Sequence, residues 1–118
     1  MMFPNLFSST CEGTIYLYDN QLSGTIPPSL GQLENLIALD LNGNNLVGEI
    51  PEELYSASEL KNLFLASNNL VGTISTSIGN LTNLVVLWFD DNEFVGTIPE
   101  EIRQIKNPRK FFCTMILL

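Results

Sequence analysis

The sequence predicts an α/β solenoid, in which one short unit recurs along the chain and each copy packs on the next. The main observation is that residues 33–56, LENLIALDLNGNNLVGEIPEELYS, are followed by two similar segments of the same length, at 57–80 and 81–104. A second observation is that alternating apolar residues precede the same asparagine in each copy. A unit this short cannot enclose a core of its own, so each copy must bury apolar side chains against its neighbours.

Columns of equivalent residues show that the period is constant along the chain. The asparagine column contains Asn20, Asn44, Asn68 and Asn92. The glycine column contains Gly24, Gly48, Gly72 and Gly96. An asparagine amide both donates and accepts hydrogen bonds, so it is suited to satisfy backbone groups where the chain leaves a strand. Glycine at a fixed position allows the backbone to turn without a Cβ clash.

The residues before each asparagine have the period of a strand with one buried face. The alternating apolar pairs are Ile15 and Leu17, Leu39 and Leu41, Leu63 and Leu65, and Leu87 and Phe89. A spacing of two residues is the side-chain period of a β-strand. Because the same strand recurs in the same direction, the sequence predicts a parallel sheet.

The second half of each copy is expected to return along the opposite side of the solenoid. Pro51 and Pro99 are each followed by two glutamates, which is typical of the start of a short helical turn. Paired carboxylates also occur in catalytic sites, but the repeat itself accounts for these positions. We therefore interpret them as structural.

Length and charge are consistent with one domain. The chain has 118 residues, 45% of them hydrophobic, and a formal net charge of −8. We predict an N-terminal extension (1–8), a repeat region (9–104) and a degenerate terminal repeat or truncated tail (105–118). The repeat region divides into a partial copy and three full copies, at 9–32, 33–56, 57–80 and 81–104.

The two ends of the chain depart from the repeat. The first ten residues lack the basic and apolar pattern of a secretion signal. The apolar tail FFCTMILL is too short to span a bilayer. It is interpreted as the start of a truncated span, as a final strand packed on the last copy, or as read-through, and the packed strand is favoured. Cys11 and Cys113 are separated by roughly 19 Å of stacked strands, so they are not expected to form a disulfide.

The sequence motif of the repeat resembles that of a known family. The segment Asn20 to Gly31, NQLSGTIPPSLG, resembles the plant-type leucine-rich repeat of receptor-like kinases, receptor-like proteins, secreted inhibitors of cell-wall-degrading enzymes and algal proteins. The resemblance implies a right-handed superhelix with a parallel sheet on its concave face. It implies short helical, 3-10 or irregular turns on the convex face. It also implies an extracellular or cell-surface location, although a cytoplasmic one stays open.

Several kinds of chemistry are absent from the sequence. With no histidine, the chain has neither a Ser-His triad nor a histidine metal site. The motifs of a phosphate-binding loop and of a calcium loop are also missing. We predict that the protein is not an enzyme and has no cofactor and no metal site. Its acidity disfavours nucleic acid, and no direct membrane contact is expected within this segment.

Residues between the buried strand positions are expected to point outward on the concave face. They form one row of Tyr16, Asp40, Phe64 and Trp88, and a second row of Tyr18, Asn42, Ala66 and Asp90. Asp19, Ser67 and Asp91 extend the lower edge. Solvent-facing aromatic residues are typical of binding surfaces. The alternative is that these rings stabilise the sheet through contacts between strands.

The predicted function is that of a non-catalytic interaction module that binds a protein or peptide through its concave face, as a fragment of a receptor-like or scaffold protein. The alternative is a secreted inhibitor of a cell-wall-degrading hydrolase. The triplet Asn80-Leu81-Thr82 is a candidate N-glycosylation site. The apolar ends predict self-association, because a solenoid needs polar caps.

Overall fold

A computed structural model describes residues 13–104 and 110–112, without the side chains of residues 104 and 110–112. These residues contain nine short strands and four 3-10 helices. The strands are β1 (Thr14–Tyr16), β2 (Ser23–Gly24), β3 (Ala38–Asp40), β4 (Asn45–Gly48), β5 (Asn62–Phe64), β6 (Asn69–Gly72), β7 (Val86–Trp88), β8 (Glu93–Phe94) and β9 (Lys110–Phe112). The 3-10 helices are Pro28–Gln32, Glu52–Ser56, Thr76–Asn80 and Glu100–Gln104.

The odd-numbered strands form one parallel sheet in the order β1-β3-β5-β7-β9. Its register advances by one full repeat at each step, since Ile15 pairs with Leu39, Leu39 with Leu63 and Leu63 with Leu87. The predicted parallel stack is confirmed. The tail contributes the fifth strand, whose Phe111 pairs with Leu87, so the favoured interpretation of the tail as a final strand agrees with the backbone of residues 110–112.

A second parallel sheet, β2-β4-β6-β8, follows the turn after each strand of the first. The sequence interpretation missed this sheet. Its signal is a second alternation, in which buried Leu46 lies between exposed Asn45 and Val47. The two-residue length of β2 and β8 makes that alternation easy to overlook beside the longer apolar pattern.

The core is a column of apolar side chains that run from one copy to the next. Leu39, Leu63 and Leu87 of the first sheet are 0%, 1% and 2% exposed. Leucines and isoleucines of the 3-10 helices, such as Leu54 and Ile78, are buried in the same cluster. Each copy therefore buries its apolar residues against the adjacent ones, as the repeat length requires.

The 3-10 helices begin where proline was expected to start a helical turn. Pro51 immediately precedes Glu52–Ser56, and Glu52 and Glu53 lie in the first turn. The third copy has Ser75 in place of proline, and the Ser75 side chain accepts a hydrogen bond from the Ser77 N–H at 3.1 Å. This side-chain cap satisfies a backbone donor that proline at the same position would leave free.

The asparagine side chains connect successive copies. Asn68 donates from Nδ2 to the carbonyl oxygens of Leu41 in the preceding copy and Leu65 in its own, at 2.9 and 3.2 Å. Its Oδ1 accepts from the Leu46 N–H at 3.0 Å. Asn44 and Asn92 repeat this pattern one copy earlier and one copy later.

The first member of the asparagine column differs from the others. Asn20 is exposed, and among the described residues its Nδ2 donates to the Leu17 and Tyr18 carbonyls of its own copy. The glycine column that follows has φ between +80° and +84° in all four copies, a conformation that residues with a Cβ rarely adopt. The asparagine column therefore lies in the turn after each concave strand, and the glycine column lies at or just after the end of each strand of the second sheet.

Candidate functional site

The concave face is built from alternate residues of the first sheet. Ile15 is 4% exposed, whereas its neighbours Thr14 and Tyr16 are exposed on the other side of β1. The first predicted row is a set of direct pairs between adjacent strands: Tyr16 with Asp40, Asp40 with Phe64, and Phe64 with Trp88. Adjacent strands lie about 4.8 Å apart, so neighbouring side chains of the row lie within contact range.

The aromatic residues of this face fall into two groups. Tyr16 and Tyr18 are 59% and 55% exposed. Phe64 and Trp88 are intermediate in exposure and pack edge to face, with ring centroids 5.2 Å apart and an interplanar angle of 90°. This arrangement is the favourable geometry for an aromatic pair. Phe64 and Trp88 thus make the predicted stabilising contact between strands, while the two tyrosines remain open to solvent.

The second row is held by a hydrogen bond between adjacent copies. Asn42 Oδ1 accepts from the Ala66 N–H at 2.7 Å. Ala66 is only 7% exposed, so this part of the row offers little side-chain surface. Asn42 and Asp90 are intermediate in exposure, and Tyr18 is the prominent member. The row therefore projects most strongly at its β1 end.

Asp40 is a partly buried carboxylate between aromatic neighbours. Its Oδ1 accepts from the Asn42 N–H at 3.1 Å. Burial raises the pKa of Asp40 above its usual value, the Asn42 N–H opposes this effect, and the negative charge of Asp19 adds to the rise. No cation contributes to this balance within the described residues.

The lower edge of the face has an unusual backbone conformation. Asp19, Ser67 and Asp91 have φ of 53°, 55° and 54°. Gly43 occupies the same place in the second copy, and a Cβ there would clash with Asp19 Oδ1. The Asp19 carboxylate therefore lies against the backbone of the next copy, at the end of the concave strands. Asp91 is exposed at the equivalent position of the fourth copy.

The sequence interpretation did not predict one row of the concave face. Two residues before each member of the first row (Tyr16, Asp40, Phe64 and Trp88) lies another set of residues paired in register: Thr14, Ala38, Asn62 and Val86. Thr14 is exposed and Ala38 is buried, while the other two are intermediate. Extending the strand alternation two residues upstream would have identified this row.

The remaining predicted positions lie away from this face. Asn80 and Thr82 of the glycosylation triplet are exposed at the end of the convex helix Thr76–Asn80, with Leu81 buried between them. Cys11, Cys113 and the apolar segments MMFPNLF and CTMILL lie outside the described residues.

One buried ionisable group lies on the convex side. Burial raises the pKa of Tyr55 to about 12, with the Ser75 backbone acting in the opposite direction and Glu52 adding to the rise. Its phenol is therefore neutral at physiological pH and belongs to the packing of the helix Glu52–Ser56. It provides no reactive group for the concave face.

Within residues 13–104 and 110–112, no group of three histidine, cysteine, aspartate or glutamate side chains is placed to hold a metal ion. Over the same part of the chain, no helix is sufficiently long and apolar to cross a membrane.

The repeats identify the family. The Leucine Rich Repeat profile matches residues 14–33, 35–57, 59–81 and 83–105. These matches cover most of the chain, which belongs to the leucine-rich-repeat family.

Three similar proteins indicate which members of the family are related. Receptor-like protein 31 of Arabidopsis thaliana is 50% identical over 60 residues, which are 50% of this chain and 7% of that protein. The plant peptide hormone receptor RGFR1, solved with RGF2, has a TM-score of 0.81 and 34% identity over 86% of this chain and 17% of the receptor chain. The PEPR1–AtPEP1 structure has a TM-score of 0.76 and 40% identity over 93% of this chain and 15% of that chain.

The chain therefore spans only a small part of the proteins it resembles. It is a non-catalytic leucine-rich-repeat module related to plant receptor ectodomains, two of which are solved with RGF2 and AtPEP1.

Proposed function

We propose that this module binds a protein or peptide ligand through its concave face. The observation that carries the proposal is the exposure of Tyr16, at 59%, on the strand beside Asp40 and of Tyr18, at 55%, two residues after that strand ends. An exposed ring does not lower the free energy of the folded chain through burial, whereas burial by a ligand removes it from water. Tyrosine also combines an apolar ring with a hydroxyl that can hydrogen-bond a polypeptide.

The shape of the sheet favours an extended polypeptide over a small molecule. The outward rows run across β1, β3, β5 and β7, so they offer a series of side chains at strand spacing in place of one enclosed cavity. The related RGFR1 structure contains a peptide hormone receptor with RGF2, and the PEPR1 structure contains AtPEP1. This similarity supports a peptide or protein partner for the present chain.

Phe64 and Trp88 have a different part in the proposal. Because they already pack on each other, they form an apolar platform on β5 and β7, which β3 separates from Tyr16 on β1. A ligand that contacts Tyr16 and continues across the sheet would reach this platform two strands away. The proposed ligand therefore spans at least the first three copies described.

The test is selection from a random peptide library displayed on phage, with the purified chain as bait. We expect enrichment on the wild-type chain, and loss of the enriched phage on the double variant Tyr16→Ala and Tyr18→Ala. The matched control is Val47→Ala, since Val47 is 45% exposed on β4 of the other sheet. Failure to enrich any peptide, or equal loss on Val47→Ala, would overturn the proposal.

A further inference from the structure

We propose that the concave face is selective for a basic residue of the ligand, and that Asp40 receives this residue between Tyr16 and Phe64. The inference rests on the proposed function, because it specifies which peptide the same face prefers. It follows from three features of the described chain: the place of Asp40 in the row, the charge of the surrounding surface, and the aromatic residues on both sides.

Asp40 is half-buried and lies in the row between exposed Tyr16 and half-buried Phe64. Its strand neighbours are Tyr16 on β1 and Phe64 on β5, each paired with it directly. The Asn42 N–H uses one lone pair of Oδ1, and a carboxylate has acceptor sites for further donors. A ligand group that donates several hydrogen bonds therefore has a partner at this point of the face.

The charge around Asp40 has one sign. Asp19 acts on it from the turn after β1, and Asp90 and Asp91 continue the acidic surface in the fourth copy. The basic residues between positions 13 and 103 are Lys61, directly before β5, and Arg103, in the last turn of the helix Glu100–Gln104. Neither contributes to the electrostatic balance of Asp40. Among the described residues, the fold thus leaves this carboxylate without a cation, and a basic ligand residue supplies one.

The aromatic neighbours strengthen the preference for a cation. A guanidinium or ammonium over a tyrosine or phenylalanine face is attracted by the ring quadrupole. Arginine has the better match, because its planar group can pair with a carboxylate along one edge while it stacks on a ring. We therefore expect arginine ahead of lysine at the selected ligand position.

Asp40 has no evident role in holding the repeats together. The equivalent positions of the other copies are Tyr16, Phe64 and Trp88, so the fold accepts a ring at this place. Its partial burial disfavours the charged form, which is a cost to the folded chain. A cationic ligand group would offset this cost.

The experiment compares the phage selection on three baits: the wild-type chain, Asp40→Asn and Glu59→Gln. Asp40→Asn keeps the shape of the side chain and its Oδ1 acceptor but removes the charge. Glu59→Gln makes the same change in net charge at an exposed position in the turn before β5. The expected result is arginine-containing peptides on wild type and Glu59→Gln, and about a tenfold or greater loss of their affinity on Asp40→Asn.

The outcomes separate this inference from the proposed function. Enriched peptides that depend on Tyr16 and Tyr18 but contain no recurrent basic residue would overturn the inference and leave the proposed function standing. Equal loss of affinity on Asp40→Asn and Glu59→Gln would also overturn it, because attraction would then follow net charge alone. Absence of any enriched peptide would overturn both.

Discussion

The asparagine column and the first row of the concave face (Tyr16, Asp40, Phe64 and Trp88) both have one member in each repeat. Of the two, the column keeps the same residue type in every repeat, whereas the row does not. Asn44 and Asn68 are each 7% exposed and hydrogen-bond to two successive copies. The row, in contrast, changes from Tyr16 to Asp40 in one step and is open to solvent at its β1 end. In the three later copies the asparagine bridges neighbouring copies through its hydrogen bonds, whereas the residue type in the row varies where its side chain leaves the sheet.

The largest effect on stability is expected at the column. Asn68→Ala leaves the buried Leu46 N–H without its side-chain acceptor and removes one of the two asparagine amides that donate to the Leu41 carbonyl. We expect a loss of roughly 3 kcal/mol in the free energy of unfolding, measured by urea titration. The matched control is Asn20→Ala, because the hydrogen bonds of Asn20 within the described residues are local and exposed, and their loss should cost less than about 1 kcal/mol. Equal costs would contradict the distinction between bridging and local asparagines.

A smaller effect is expected where the row takes part in packing. Trp88→Ala removes the edge-to-face contact with Phe64 and exposes a partly buried site, so we expect a loss of about 1 to 2 kcal/mol. A double-mutant cycle with Phe64→Ala should give a coupling of about 0.5 to 1.5 kcal/mol. A coupling near zero would mean that the two rings do not stabilise the sheet.

At the exposed end of the row, stability should hardly change. Tyr16→Ala removes a ring that is 59% exposed, and the expected change in the free energy of unfolding is within about 0.5 kcal/mol. Urea unfolding of this variant beside Trp88→Ala gives the comparison. A loss as large as that of Trp88→Ala would show that Tyr16 is a structural residue.

The smallest effect on the free energy of unfolding is expected for Asp40→Asn, which should stabilise the folded chain where the other variants destabilise it. Burial raises the pKa of Asp40 in the folded chain above its pKa in the unfolded chain. In the pH interval between these two pKa values, the folded chain retains a proton that the unfolded chain releases. The free energy of unfolding therefore falls as the pH rises through this interval. Asp40→Asn should therefore be slightly more stable than wild type above this interval and lose that advantage below it. The titratable groups beside Asp40 are Asp19 and Tyr16, while Phe64 on its other side does not titrate.

Thermal unfolding of wild type and Asp40→Asn at acidic and neutral pH measures this difference. A variant that is less stable than wild type at neutral pH would contradict a destabilising carboxylate at this position.

The sequence contains most of the fold because one unit specifies it repeatedly. The spacing of Leu39, Leu63 and Leu87 predicts both the strand and its parallel register, and the repeated asparagine predicts where each strand ends. The second sheet is harder to recognise, because β2 and β8 have two residues each and too little alternation to stand out. Serine at position 75 departs from the proline of the other copies, and only the geometry reveals the hydrogen bond that it accepts from Ser77.

Less of the candidate site follows from the sequence. Alternation assigns Tyr16, Phe64 and Trp88 to the same face, but it does not determine how neighbouring side chains cover each other. The exposure of Tyr16 and the mutual packing of Phe64 and Trp88 depend on distances between copies. The same is true of Asp40, whose raised pKa arises from burial and from Asp19 in another copy.

Recognition by the concave face is tested most directly by a backbone amide NMR titration of the wild-type chain with a peptide enriched in the phage selection. We expect the largest chemical-shift changes at residues 14–18, 38–42 and 62–66, which comprise the concave strands and the residues directly after them. Residues 45–48 and 69–72 of the second sheet should change little. The largest changes in the second sheet or in the convex 3-10 helices would contradict recognition by the concave face.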